Sequence, residues 1–289
     1  MTTKRKTPRP RPVVLQVTAG GTNRVALQAA LRVARALERD FESIFVEDDD
    51  LFSLAAMPFA REIPASGGRS RPLNQEQVAR QMRAASSAAH REIERSAREA
   101  DMPARFAVVR DEPEHAMREA SSRASILALG EPVTPSSGHR ELDVLMSCLA
   151  GVMGCLVVGS GARRAQGRVV AVVDQPERLE DILKTTARFA GPAAREIGFI
   201  TLGQGLSARR QIEAGIRKLL PTELDVGVES LSSEDPGFVA AAVQRLGGGL
   251  LIARFGGPLI PRNEVIARIT AQLECPLLLL RTGAENGED

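Results

Sequence analysis

One strand-helix-strand unit is written twice in this chain of 289 residues. It opens at PVVLQVTAGGTNRVALQAALRVARALERDFESIFVE and closes at GCLVVGS, then recurs from GRVVAVVDQPERLEDILKTTARFAGPAAREIGFITLG to CPLLLLR. Two tandem α/β units of similar length and element order imply a pseudo-symmetric pair, and function is sought where each sheet's strands end. Each half is long enough to bury a core of its own.

The chain lacks Trp and Tyr and has nine Phe, so the core rests on Ala, Val, Leu and Ile. Aromatic platforms for bases are scarce, which argues against sequence-reading RNA or single-strand binding, and no specific nucleic acid is expected. No apolar run reaches the ~20 residues of a bilayer span. The basic start MTTKRKTPRPRP leads into a strand and not into a signal-peptide core, so the expected location is the cytoplasm. Net charge is +2. Lys4, Arg5, Lys6, Arg9 and Arg11 alternate with Pro8, Pro10 and Pro12, which makes residues 1–11 an extended, disordered basic tail.

Cys148, Cys155 and Cys275 have no metal-like spacing, and an odd number suits a reducing compartment. The last two sit before apolar closing strands and are read as packing residues. His90, His115 and His139 are scattered, so no metal is expected.

In residues 12–160 the apolar run VVLQV is a strand covered on both faces, and Thr22 or Asn23 can cap the helix whose buried face carries Ala26, Ala30, Val33 and Leu37. FESIFVE is the second strand. Residues 48–72 then turn irregular, an insertion absent from the second half. A long helix from about Leu73 to Ala100 places Val78, Met82, Ala85, Ala89 and Ile93 on one stripe. ARFAVVR, ASILALG and CLVVGS complete five strands with helices between them. Residues 161–167 form a Gly/Arg linker, residues 168–282 repeat the scheme, and 283–289 are a polar tail.

With ASILALG answered by GLLIARFGG and a Cys-initiated closing strand in each half, the chain resembles the universal stress protein family in its tandem, two-domain form, over roughly Pro12 to Arg281. The resemblance implies two tandem five-stranded parallel-sheet units of the adenine nucleotide alpha hydrolase-like α/β class, strand order 3-2-1-4-5. It also implies pairing of the units through their closing strands and, in one subfamily, ATP at the strand tips.

That subfamily's signature is a glycine after the fourth strand, another three positions on, and a Gly-Ser or Gly-Thr opening the last helix. Here the last pair falls on Asn263-Glu264 and on Asp143-Val144, which adds a carboxylate to each phosphate position. A like charge there costs about 1–4 kcal/mol in partly screened surroundings. Gly130 is kept, but Val133 takes the next glycine position. Gly256 and Gly257 remain in the second unit, where turn geometry explains them equally. The family's acid after the first strand corresponds to Asp174; the other reading of that side chain is support for the helix that starts near Pro176. The cleft candidates are therefore Asp174, Gly256, Gly257 and Asn263, read as vestigial.

SGGRS at Ser66–Ser70 lacks the strand and helix that a phosphate loop requires. Asp111, Glu112 and Glu114 around His115 fit ordinary acidic capping beside Pro113, and no catalytic constellation follows from spacing. Leu51, Phe52, Leu54, Met57 and Phe59 either pack internally, as a lid or on the long helix, or form a docking site for a protein partner. The expected function is a non-enzymatic, cytoplasmic stress-response or regulatory protein that forms an internal pseudo-dimer, can pair further as a homodimer, and has lost ATP binding. The alternative is a nucleotide-binding switch or slow ATPase, taking ATP or AMP, that uses only the second unit, with Arg254 or Arg262 on phosphate.

Overall fold

A computed structural model describes residues 10–63, 69–133, 140–191, 196–202, 205–221 and 223–281. Residues 1–9, Ser66 to Gly68 of SGGRS, His139 and the polar tail lie outside them. The first unit contains β1 (Val13–Val17), α1 (Arg24–Ala36), β2 (Phe41–Asp48), α2 (Asp49–Ala55), β3 (Arg61–Glu62), β4 (Arg71–Pro72), α3 (Gln75–Glu99), β5 (Ala104–Asp111), α4 (Pro113–Arg123), β6 (Ile126–Leu129), α5 (Arg140–Cys148) and β7 (Gly154–Val157). The second contains β8 (Arg168–Val173), α6 (Leu179–Ala190), β9 (Glu196–Leu202), α7 (Leu206–Leu219), β10 (Asp225–Leu231), α8 (Pro236–Arg245), β11 (Gly248–Arg254), α9 (Asn263–Thr270) and β12 (Leu277–Leu280).

Ten strands join in one sheet of order β10-β9-β8-β11-β12-β7-β6-β1-β2-β5. Each half has the order 3-2-1-4-5 and is parallel throughout. The halves meet at the antiparallel pair of β12 and β7, with Leu277 opposite Val157 and Leu280 opposite Gly154. This is the closing-strand pairing that the resemblance implied.

Alternation along the strands divides the core into two layers. Leu15, Phe45 and Phe199 face α1, α3, α6 and α7, where Leu27, Ile93, Leu183 and Ile212 meet them. Val14, Leu127, Leu251 and Leu279 face α4, α5, α8 and α9, where Met117, Leu145, Val239 and Ile266 meet them. Each such large side chain, fully buried, contributes about 1.5–3 kcal/mol, and the apolar strands are hidden on both faces for this reason.

The local signals act as their chemistry directs. Asn23, not Thr22, caps α1, its Oδ1 accepting from the N–H groups of Val25 and Ala26 at 2.9 and 3.1 Å. The stripe Val78, Met82, Ala89 and Ile93 of α3 is buried. Residues 48–72 differ from the irregular reading: the Asp48 carboxylate caps α2 by accepting from Asp50 N–H at 3.0 Å, and β3 and β4 form a short antiparallel pair. The apolar segment within it is divided. Phe52 is buried beneath the Arg110 guanidinium, 3.9 Å from the ring centre, whereas Leu54, Met57 and Phe59 are 46%, 43% and 76% exposed.

Candidate functional site

In a 3-2-1-4-5 sheet the strand order reverses between the first and fourth strands, and ligands enter at their C-terminal tips. In the second unit those strands are β8 and β11. Asp174 follows β8 directly, and Arg254 ends β11. The Arg254 Nε and Nη2 both donate to Asp174 Oδ2, at 3.1 and 2.6 Å. The carboxylate side chain is only 5% exposed and the guanidinium 19%. The alternative sequence reading placed Arg254 or Arg262 on a phosphate; the counter-charge of Arg254 is a side chain 80 residues away.

The glycine turn beside them is occupied by its own hydrogen bonds. Gly256 has φ +77°, a conformation that glycine adopts without strain, and its N–H donates to Ile260 O at 2.9 Å. Gly257 N–H donates to Arg254 O at 3.3 Å. A Cβ on Gly257 would stand 2.7 Å from Asp174 Oδ2, so the missing side chain makes room for the ion pair. A small space beside the pair, between Asp174, Arg178, Ile182, Thr186 and Arg254, measures about 30 Å³. That suits about one water molecule, against roughly 300 Å³ or more for a small-molecule pocket.

Asn263, the fourth cleft candidate, is engaged elsewhere. Its Nδ2 donates to Asp143 Oδ1 at 2.8 Å and ties the start of α9 to α5 of the other unit. The two positions that correspond to the family's phosphate-binding Gly-Ser pairs are therefore bonded to each other. Glu264, in the first turn of α9, is exposed and offsets the positive end of that helix.

In the first unit Gly130 N–H donates to Gln16 O at 2.7 Å, and its carbonyl accepts from Asn23 N–H at 3.1 Å, which laces the tips of β1 and β6 together. Val133 N–H donates to Val158 O at 2.7 Å, and its side chain, 7% exposed, fills core volume that a glycine would leave open. Gln16 is a residue that sequence reading passed over. It is 5% exposed, and its Nε2 donates to Pro113 O at 3.1 Å while Oε1 has no partner among the described residues. A lone amide in the run VVLQV was the signal.

Neither tip keeps the full glycine signature that the resemblance associates with ATP. In the second unit the acid is neutralised and the turn amides are spent. In the first, Val133 stands where backbone would need to approach phosphate.

Asp111 precedes the N-cap of α4 and does not cap it: its Oδ1 accepts Glu112 N–H at 2.8 Å, while Oδ2 holds His115 Nδ1. The bond and charge of Asp111 raise the His115 pKa above its ordinary 6.5, and the same bond lowers that of Asp111. The raised histidine contributes stability that is complete below pH 6.5 and lost as pH rises through its folded pKa. The depressed aspartate contributes above its ordinary pKa and loses this as pH falls through the folded one. The pair thus acts between the two folded values. An NMR titration is expected to give His115 the higher pKa in the native chain and an ordinary one in Asp111→Asn.

All three cysteines are buried, free thiols. Burial raises the Cys155 pKa and pushes Cys275 up to about 12, so at neutral pH neither is a thiolate nucleophile. Among the described residues no group of three or more His, Cys, Asp or Glu side chains is placed to hold a metal, and no helix is long and apolar enough to cross a membrane.

No family model and no curated protein matches the chain. Solved structures do. A universal stress protein from Archaeoglobus fulgidus DSM 4304 superposes with a TM-score of 0.55 at 12% identity, covering 93% of this chain and 96% of that one. A functionally unknown protein, PA1789, from Pseudomonas aeruginosa PAO1 superposes with a TM-score of 0.50 at 14% identity, covering 95% and 94%. At such identities the likeness establishes the fold, which is that of universal stress proteins in two tandem copies.

Proposed function

We propose that this chain is a non-enzymatic, cytoplasmic stress-response or regulatory protein, an internal pseudo-dimer that has given up nucleotide binding. The observation that carries the reading is the Asp174–Arg254 pair, which commits the acid and the base at the strand tips of the second unit to each other. Val133 and the Asn263–Asp143 bond support the same loss in the other copy and at the junction. Calorimetric titration with ATP and with AMP is expected to give no binding tighter than about 1 mM, equivalent to less than about 4 kcal/mol. Micromolar binding at unit stoichiometry, or nucleotide that co-purifies from cells, overturns the reading.

The competing reading, a nucleotide switch or slow ATPase in the second unit, requires Arg254 to leave Asp174 for a phosphate. Under it Glu264→Ser raises ATP affinity by removing a like charge; under the reading preferred here the folded variant stays inert to ATP. Exposure of Leu54, Met57 and Phe59 favours a further role for α2 and its loop in holding a protein partner. Deletion of residues 51–59 followed by comparative pull-down separates that role from the other two.

A further inference from the structure

A cavity of about 420 Å³ opens between the first unit and the linker. Gln28, Leu31, Arg32 and Arg35 of α1 line it, with Ser96, Glu99 and Ala100 at the end of α3 and Ala165, Gln166 and Gly167 of the linker. The volume lies within the ordinary range for small-molecule sites.

Its two arginines have no acidic partner among the described residues, and Glu99 acts on Arg95 and not on them. Arg32 donates from Nη1 to Ala165 O and from Nη2 to Gly167 O, both at 2.8 Å, which fixes the guanidinium while leaving about three of its five N–H donors. Both acceptors are neutral carbonyls, and burial lowers the Arg32 pKa. Among the described residues Arg35, Gln28 and Gln166 make no side-chain hydrogen bond or ion pair, and no ion pair joins Glu99 to either arginine. Ser96 is a polar residue only 5% exposed, while Leu31 and Ala165, at 3% and 2%, give the cavity an apolar floor.

A cavity that presents two cations and one anion, unpaired with each other, suits a ligand that carries both charges. We infer that it binds a small zwitterion of α-amino-acid type, with the carboxylate on Arg32 and Arg35 and the ammonium on Glu99. Guanidinium holds carboxylate through parallel charge-assisted bonds, Ser96 and the two glutamines supply neutral partners, and the floor accepts a short apolar side chain. Such a ligand would bridge α1 and α3 of one unit to the linker that leads into the other. The inference is independent of nucleotide loss at the strand tips, and the two are read by different titrations.

The test is calorimetry and thermal unfolding of the full chain with glycine, alanine, serine and valine. Acetate, ethylamine and inorganic phosphate serve as single-charge probes. At least one amino acid is expected to bind at one per chain with Kd about 0.1–1 mM, and to raise Tm by about 2–4 °C when it is present at roughly ten times Kd. Acetate, ethylamine and phosphate should bind at least about tenfold more weakly. Arg35→Gln and Glu99→Gln, both at exposed positions, should each weaken binding about tenfold or more with the ligand-free Tm unchanged. The proposal fails if none of the four amino acids binds, if acetate or phosphate binds equally well, or if either variant keeps the native affinity.

Discussion

Arg254→Ala is expected to lower unfolding stability by up to about 3–5 kcal/mol, the usual cost of removing one partner from a buried ion pair. The Asp174 carboxylate would keep its burial, with its side chain 5% exposed, and lose both donors of the guanidinium. Asp174→Ala should cost a similar amount through the stranded cation. The double variant should lose clearly less than the sum of the two, because neither charge then remains uncompensated. Asp174→Leu with Arg254→Met, which exchanges the pair for apolar volume, is expected to be near neutral or stabilising. Urea unfolding monitored by circular dichroism measures all four. A single variant within about 1 kcal/mol of the native chain would mean that solvent screens the pair as it does surface ion pairs, and the acid and base at the strand tips would then not be committed to each other.

Gly159→Ala is the other large effect. Gly159 follows β7 by two residues and lies against α9 of the second unit, where a Cβ would stand 1.8 Å from Thr270 O and 2.4 Å from its carbonyl carbon. A flexible side chain could move away. A carbonyl at the end of a packed helix cannot do so without shifting α9, whose Ile266 and Ile269 are fully buried. Overpacking of a core costs about 1–3 kcal/mol and occasionally more, and contact with backbone at the junction of the units puts this substitution at or above the top of that range. The damage should be local to the closing strands, so amide exchange at Leu277–Leu280 is expected to accelerate more than exchange in β2 or β9. Gly205→Ala is the control. No described atom lies within 4 Å of its Cβ and its φ of −62° is ordinary; because Gly205 is the N-cap of α7, where Ala caps less well, the expected loss is at most about 1 kcal/mol. Equal stability of the Gly159 and Gly205 variants would show that the units do not approach as closely as described.

Much of the architecture is legible along the chain because it depends on neighbours in sequence. The period of α3 selects Val78, Met82, Ala89 and Ile93, and the apolar runs of β1, β6 and β12 mark strands covered on both faces. Asp174, Gly256 and Gly257 could be located by position, and they do stand together at one set of strand tips. Their roles could not be read. Whether Asp174 meets a ligand, a helix end or a cation depends on β8 lying beside β11, an adjacency made by the crossover and not by the residues around Asp174. The helix α2 was obscured for a different reason: seven residues are too few for a periodic signal, and its cap and its contact with Arg110 hold it in place.

The order of residues alone determined the duplication, the two layers of apolar side chains and the positions where the strands end, since burial of periodic apolar faces is a local instruction repeated many times. The tertiary structure alone decided the pairing of charged and polar groups: Asp174 with Arg254 across 80 residues, Asn263 with Asp143 across 120, and Arg35 with neither Glu99 nor any other acid among the described residues. A charge takes its meaning from what lies within a few ångströms once water is excluded, and that neighbour is supplied by the folded chain's return from far along the sequence.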